Sequence, residues 1–483
     1  MSGGGEIVQV KRLRDRAAFI DHVQNLGVDV SLAPDERVVG LLASSFRSPT
    51  LSLSNRLCIL PMEGWDATVD GRPTDLVRRR WSRFGASGAA LIWGGEAVAV
   101  RPDGRANPRQ LCVGPESERD LAELRQLLVD AARDAPPHVG LQLTHSGRWS
   151  RPNGSFEPLV AYRHPLLDDR VGATDAAVAT DAQLDDLVGD FVRAAVVARA
   201  AGFDFVDVKH CHGYLLHELL SAVDRQGRYG GPLESRLRFL DEVVAGIRRD
   251  APGLEIAVRL SVFDLVPHRA GADGRGVPER VTDYRYAFGG DGSGCGVDLR
   301  EPHRLCEHLG TLGVELVSIT AGSPYYCPHA QRPAFFPPSD GYLPPHDPLI
   351  DVARLLAATR DLATAHRGLA IVAGGLSYLQ EWYPAAAAAL VDAGVASVGY
   401  GRGALSYPDL ARTILDGRGL DRERLCRTFS DCTTAPRNDL VSGCYPLDEF
   451  YKQRPERRDL VAAKREAERA RGGRRATSRG GTP

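Results

Sequence analysis

Eight short apolar segments recur along the chain, and each is followed by a polar or glycine-bearing stretch. Most of them precede a segment with helical patterning. This alternation predicts parallel strand–helix units, and eight such units predict a (β/α)8 TIM barrel of the α/β class, in which the carboxyl ends of the strands carry the active site. The predicted strands are residues 57–60, 90–93, 139–143, 205–208, 256–260, 316–319, 369–372 and 397–400.

The length and composition are those of one large globular domain. The chain has 483 residues, 43% of them hydrophobic and 25% charged, which is enough to bury the core of a barrel. We expect residues 1–50 to form an N-terminal extension, residues 51–420 the barrel, and residues 421–483 a cysteine-containing arm with a basic, disordered tail. Two long connections, residues 264–300 and 323–348, are candidate lids over the active end.

Charge and cysteine usage exclude several classes of protein. A formal net charge of -2 gives no electrostatic reason to expect nucleic acid as a partner. No apolar run approaches the roughly 20 residues that span a bilayer, and the first residues lack the apolar core of a signal peptide. Nine cysteines in so long a chain do not indicate a disulfide scaffold. We therefore expect a cytoplasmic enzyme with a small-molecule substrate and no membrane partner.

Several motifs follow the predicted strands in a specific order. Pro-Met at residues 61–62 follows the first strand, Gln-Leu-Thr-His-Ser-Gly-Arg at 142–148 ends the third, Lys-His-Cys-His-Gly-Tyr at 209–214 follows the fourth, and Gly-Arg at 401–402 follows the eighth. Over roughly residues 51–415, this order closely resembles the Old Yellow Enzyme family of flavin oxidoreductases, including its 2,4-dienoyl-CoA reductase-like members. The resemblance implies bound FMN and either NADH or NADPH as the hydride donor.

The residue types at the strand ends agree with an FMN site. Gly374-Gly375 and Gly401-Arg402 offer backbone N–H donors and a cation to a phosphate, although paired glycines also occur as simple turn residues. Gln142 suits the donors and acceptors on the pyrimidine edge of a flavin, and Arg259 would place a positive charge beside it. The expected cofactor-binding residues are Pro61, Met62, Glu63, Gly95, Gln142, Arg259, Gly374, Gly375, Gly401 and Arg402.

The resemblance also assigns three catalytic positions. Family members hold the carbonyl oxygen of an enone with two donors in a His-x-x-His or His-x-x-Asn motif, and a tyrosine two residues later protonates the substrate. The matching residues here are Lys209, His212 and Tyr214. Lys209 replaces the usual histidine, but an ammonium group also donates to an oxyanion and can select an anionic substrate. Lys209 in a rim salt bridge, His212 in the core and Tyr214 in simple packing are the structural alternatives.

Glu63 is a second departure from the family pattern, because relatives often carry a small polar residue there. A carboxylate beside a flavin disfavours the anionic reduced form unless the carboxylate is protonated or paired. The main expectation is NAD(P)H-driven reduction of an activated C=C bond by hydride transfer from flavin N5. The alternatives are an FMN-dependent dehydrogenase acting on an amine- or alcohol-type substrate, and a flavin-binding pseudoenzyme or partner subunit. A homo-oligomer is compatible with the sequence.

Three cysteines lie beyond the barrel. Cys426, Cys432 and Cys444 stand where larger relatives bind a [4Fe–4S] cluster, but Phe429 occupies the place of the second cysteine. Four thiolates are the usual requirement for such a cluster. We therefore favour a metal-free arm over an iron–sulfur site.

Overall fold

A closed barrel of parallel strands forms the centre of the molecule. The computed structural model describes residues 7–479, with side chains through residue 471. Its strands are β1 (Phe46–Arg47), β2 (Ser52–Leu53), β3 (Leu57–Ile59), β4 (Leu91–Ile92), β5 (Ala97–Ala99), β6 (His138–Thr144), β7 (Phe205–Val208), β8 (Glu255–Ser261), β9 (His268–Ala270), β10 (Gly276–Pro278), β11 (Leu316–Thr320), β12 (Ala370–Ala373) and β13 (Ser397–Tyr400).

Eight of these strands close the barrel in the order β3, β4, β6, β7, β8, β11, β12, β13 and back to β3. Each coincides with one of the eight predicted segments, so the (β/α)8 prediction is confirmed. The strands read as continuous apolar runs because both faces are covered, one by the barrel interior and one by helices. The short strand β5 pairs with β6 on the same edge as β4, beyond the point where β4 ends.

The helices that alternate with the barrel strands form the outer layer. Predicted local features recur in them: Thr180 and Gln183 form a capping box at the start of α6, whose buried stripe includes Leu184, Leu187 and Phe191. The α-helices are α1 (Arg16–Asn25), α2 (Asp35–Ala43), α3 (Asp75–Gly85), α4 (Ser117–Ala131), α5 (Asp168–Val171), α6 (Asp181–Ala200), α7 (Leu215–Leu220), α8 (Leu233–Asp250), α9 (Arg300–Thr311), α10 (Pro328–Gln331), α11 (Pro348–Ala365), α12 (Tyr383–Asp392), α13 (Arg402–Ser406), α14 (Leu410–Leu415), α15 (Asp431–Thr434), α16 (Glu449–Lys452) and α17 (Glu456–Arg479).

The N-terminal segment packs on the barrel near α12. The ring of Phe19 lies 5.0 Å from that of Trp382, and the Trp382 indole N–H donates to the carbonyl of Leu13. The hairpin of β1 and β2 continues across the expected boundary at residue 50, and its Leu51 and Leu53 are buried among side chains of the barrel strands. The hairpin therefore belongs to the core of the barrel as much as to the extension.

The lids and the C-terminal arm differ in part from expectation. The first candidate lid contains the hairpin of β9 and β10, and the second contains only the short helix α10. Helix α17 extends through Arg479, into the tail that was expected to be disordered, while residues 480–483 lie outside the described range. No helix in the described part of the chain is both long and apolar enough to cross a bilayer.

Candidate active site

A cavity of about 340 Å³ lies at the carboxyl ends of the barrel strands. Its lining brings together residues that are far apart in sequence, because parallel strands end at the same rim. Most of the expected site residues face it: Pro61, Met62, Glu63, Gln142, Lys209, His212, Arg259, Gly375, Gly401 and Arg402.

Three expected site residues do not line this cavity. A side chain at Gly95 would collide with the indole of Trp81, so this glycine is needed for packing between β4 and α3. A side chain at Gly374 would meet the carbonyl of Ile319 on β11 at 2.9 Å. The third, Tyr214, is only 2% exposed and lies beneath the cavity wall.

A buried carboxylate that the sequence analysis did not single out holds one wall in place. Asp207 on β7 accepts hydrogen bonds from the Gln142 side-chain amide at 2.6 Å and from the Trp93 indole at 2.7 Å. Its other oxygen accepts the backbone N–H of Arg259 at 2.7 Å. Burial raises the pKa of Asp207, but all three partners are donors and therefore favour its ionised form. Asp207 thus fixes the orientation of Gln142, whose amide nitrogen it occupies.

Two arginines of the lining retain unused hydrogen-bonding capacity. The buried Nε of Arg259 and the buried Nη1 of Arg402 have no partner within the described structure. Arg402 is anchored by its Nη2, which donates to the carbonyl of Pro333 at 3.0 Å. Buried, unpaired guanidinium nitrogens are costly unless a ligand completes them. The cavity is therefore prepared for an anionic or strongly accepting group.

Lys209 adds a third unusual cation. Its side chain is 4% exposed, and its Nζ lies 3.9 Å from the centre of the Tyr214 ring. No hydrogen bond or close ion pair holds this ammonium among the described residues, so the proposed rim salt bridge is absent. Burial lowers the pKa of Lys209, and the nearby Glu63 carboxylate acts in the opposite direction. The ammonium is thus available to a ligand in the cavity.

His212 occupies a tight turn that aims its ring at the cavity. Its φ of 69° is in the left-handed region, and its backbone N–H donates to the Ser261 hydroxyl at 3.1 Å. The ring Nε2 lies 3.1 Å from Nε2 of Gln331 on the second lid. Burial together with the cation of Arg259 lowers the pKa of His212 well below its usual value, so the imidazole is neutral. Gln331 therefore contributes directly to the ring's environment.

The hydroxyl of Tyr214 is engaged inside the protein. It donates to Oε1 of Glu63 at 2.6 Å and lies 3.1 Å from the hydroxyl of Tyr325. Burial raises the pKa of Tyr214 well above its usual value, and the Glu63 carboxylate adds to the effect. Tyr325, unlike Tyr214, lines the cavity, and its ring stacks on Trp149 with centroids 4.4 Å apart.

The second lid and the C-terminal arm complete the cavity wall. Arg332 of the lid donates to the hydroxyls of Thr433 and Ser430 on the arm, and burial lowers its pKa to about 10. Arg437 pairs with Asp340, which joins arm and lid a second time. Only the second lid contributes to this cavity, since the first borders a neighbouring cavity of about 270 Å³.

The three cysteines of the arm lie close enough to influence one another. Burial raises the pKa of Cys444 well above its usual value, and the thiols of Cys426 and Cys432 raise it further. Within the described residues, however, no group of three His, Cys, Asp or Glu side chains has the arrangement of a metal site. The structure therefore gives no support to an iron–sulfur cluster in the arm.

Comparison with known proteins agrees with this geometry. Residues 47–274, which include β3 through β8, match the sequence model of the NADH:flavin oxidoreductase / NADH oxidase family. An NADPH dehydrogenase of Listeria welshimeri is 30% identical over 228 residues, which are 46% of this chain and 64% of that protein. One from Bacillus subtilis is 31% identical over 222 residues, 44% of this chain and 61% of that protein. Over just under half of its length, the chain is therefore similar to the NADH:flavin oxidoreductase / NADH oxidase family.

The solved structures similar to this chain are barrels of the same kind. A 2-naphthoyl-CoA reductase superposes with a TM-score of 0.66 at 17% identity, covering 86% of this chain and 57% of the other. An Old Yellow Enzyme homologue from Zymomonas mobilis superposes with a TM-score of 0.56 at 20% identity, covering 79% of this chain and 94% of the other. At these identities the likeness concerns the fold. The curated relatives are matched over about 64% of their length.

The residues of the cavity fit the cofactor of this family. A flavin mononucleotide needs cationic and backbone donors for its phosphate and polar partners for its pyrimidine edge. Arg402 and Arg259, each with one unpartnered nitrogen, line the same cavity as Gln142. At Gly401 a side chain would approach the sulfur of Met62 at 3.0 Å, so the glycine lets Met62 pack closely there.

Proposed function

We propose that the protein is an FMN-dependent oxidoreductase that uses NADH or NADPH to reduce the activated C=C bond of an α,β-unsaturated carbonyl compound. One observation carries the substrate side of this proposal. The unpaired, buried ammonium of Lys209 faces the same cavity as His212 and the two arginines with unused donors. A carbonyl oxygen that gains negative charge during reduction would satisfy this ammonium.

Six of the cavity residues would hold FMN. Arg402, Gly375 and Gly401 suit the phosphate, since Arg402 has a free Nη1 and the glycines present backbone without side chains. Gln142 and Arg259 suit the pyrimidine edge, because Asp207 orients both of them. Met62 lines the cavity beside Pro61 and suits a contact with the ring. FMN, when bound, supplies reversible two-electron chemistry, accepting hydride from a nicotinamide and passing it to the substrate.

The protein's own residues polarise and enclose the substrate. Lys209 donates to the carbonyl oxygen and stabilises its developing charge, which is the usual contribution of a fixed cation in an oxyanion site. His212, held by Gln331, provides the second polar contact to that oxygen. The stacked rings of Trp149 and Tyr325 form an apolar wall that excludes water from the reacting carbon atoms.

An anaerobic absorption titration of the purified, FMN-loaded protein tests the proposal. We expect the flavin bands to bleach on addition of NADPH or NADH and to return on addition of cyclohexenone. The matched variant Lys209→Met should bleach as the parent does but recover much more slowly with enone. Recovery with enone at the parental rate in this variant would remove Lys209 from the reaction, and no recovery in the parent would refute ene reduction.

A specific observation favours a second function, oxidation of an amine- or alcohol-type substrate. The Glu63 carboxylate lines the cavity, and a carboxylate can bind an ammonium group or accept a proton. One structural neighbour, at 19% identity, is a histamine dehydrogenase. Bleaching of the flavin by an amine or alcohol without nicotinamide would support this function. FMN that responds to neither nicotinamide nor substrate would instead support a flavin-binding partner subunit.

A further inference from the structure

The expected proton donor is poorly placed to reach a substrate. Tyr214 is 2% exposed, its hydroxyl already donates to Glu63 at 2.6 Å, and Lys209 covers one face of its ring at 3.9 Å. A general acid must come within hydrogen-bonding distance of the atom that it protonates. Tyr214 does not line the cavity in which that atom would lie.

Tyr325 of the second lid is better placed. It is half-buried and lines the cavity, and its hydroxyl lies 3.1 Å from that of Tyr214. Stacking on Trp149 at 4.4 Å, with the ring planes 5° apart, fixes the direction of the hydroxyl. The Arg437 guanidinium lies 5.4 Å from the ring centre on the arm side. The side chain is therefore both exposed to substrate and held in one orientation.

Glu63, Tyr214 and Tyr325 form an unbroken hydrogen-bonded chain. Glu63 is half-buried and lines the cavity at the other end of this chain. We propose that Tyr325, and not Tyr214, protonates the alkene carbon next to the carbonyl, and that Tyr214 and Glu63 relay the replacement proton. This inference rests on the proposed reduction of an activated alkene.

The step balances in atoms and electrons. The β-carbon gains hydride with two electrons from the reduced cofactor, and the α-carbon gains a proton as the O–H bond of Tyr325 breaks. The Tyr325 phenolate then takes the proton of Tyr214, and the Glu63 carboxylate takes up a proton from solvent and passes it to Tyr214. Burial raises the pKa of Tyr325 and keeps it protonated at rest, whereas Arg437 and Arg151 act in the opposite direction and stabilise the phenolate.

Nitroalkenes separate hydride transfer from protonation and so test the relay. Hydride addition to 1-nitrocyclohexene gives a nitronate anion, which persists in solution until its carbon is protonated. In a single turnover of pre-reduced enzyme, the parent should release the nitroalkane. Tyr325→Phe keeps the stacked ring and should form nitronate at the parental rate, with protonation slowed about 100-fold or more. The variants Tyr214→Phe and Glu63→Gln should protonate the nitronate at the parental rate in the first turnover. In later turnovers this protonation should become slower.

Tyr229→Phe is the matched control, because it removes a hydroxyl that bonds Asp185 and Glu242 on the outer helices. Reoxidation by ferricyanide, which needs no carbon protonation, should proceed alike in all variants. Nitroalkane release by Tyr325→Phe at the parental rate, or loss of first-turnover protonation in Tyr214→Phe alone, would overturn the relay. A parent that does not reduce the nitroalkene would refute both the relay and the proposed function.

Discussion

Replacing Asp207 by asparagine should weaken both the barrel and the flavin site. One oxygen of Asp207 accepts two hydrogen bonds, from Gln142 and Trp93, and the other accepts the N–H of Arg259. Asparagine has one acceptor oxygen, so its NH2 group must face at least one of these donors. Hydrogen bonds to a charged acceptor contribute about 1.5–3 kcal/mol each, and a buried donor left unpaired costs about 1–3 kcal/mol.

Part of this loss is offset, because burial raises the pKa of Asp207 and a neutral amide is less costly to bury than a carboxylate. We expect a net decrease of about 2 kcal/mol in the free energy of unfolding of the apoprotein, measured by urea denaturation. Freed from Asp207, Gln142 should hold FMN less well. Fluorescence titration of apoprotein should therefore give an FMN dissociation constant raised about tenfold, which corresponds to about 1.4 kcal/mol.

Asp204→Asn provides a control on the same segment of chain. Asp204 lies just before β7, at the end away from the cavity, is partly exposed, and accepts the backbone N–H of Val139 at 2.7 Å. Asparagine retains this acceptor, so stability should change by less than about 1 kcal/mol, with no effect on FMN. The reasoning fails if Asp207→Asn is as stable as the parent and binds FMN equally well.

Two further variants test buried charges away from Asp207. Burial raises the pKa of Asp264 from the usual 3.8 to about 6, against the donors Tyr326 and Cys327. Between these values the folded state binds a proton that the unfolded state does not, so parental stability should fall by about 2 kcal/mol from pH 4 to pH 6 relative to Asp264→Asn. Urea-denaturation profiles of the two proteins that run parallel over this pH range would contradict this. Lys209→Met removes a buried ammonium group whose pKa is lowered by burial. The free energy of unfolding of the apoprotein should rise by about 1 kcal/mol, while enone binding weakens. A variant less stable than the parent would show that the protein compensates the buried charge well.

The barrel could be predicted because its information is local. Each strand is a run of apolar residues buried on both sides, and each strand end carries side chains that must meet at one rim. Pro61, Gln142, Lys209, Arg259 and their neighbours were found in this way. A glycine after a strand is less informative, since at Gly95 the missing side chain makes room for Trp81 and not for a ligand.

The rest of the site depends on contacts that no local pattern encodes. Tyr325 and Gln331 lie on an irregular lid, and Arg437 lies on an arm more than a hundred residues further along. Their positions follow from packing between distant segments. The role of Asp207 could have been predicted from the sequence, because a carboxylate within an apolar strand must meet hydrogen-bond donors from neighbouring strands. The hydrogen bond from Tyr214 to Glu63 likewise depends on the tertiary fold, which brings the end of β3 next to the segment after β7.

One wall of the cavity comes from residues 432–437, which are synthesised after all eight barrel strands. The barrel strands therefore leave the ribosome before the residues that line the cavity on the side of the arm. That side of the cavity closes when Arg332 and Asp340 of the second lid engage the arm. Closure of the cavity on this side thus depends on a segment that is synthesised late and forms no part of the barrel.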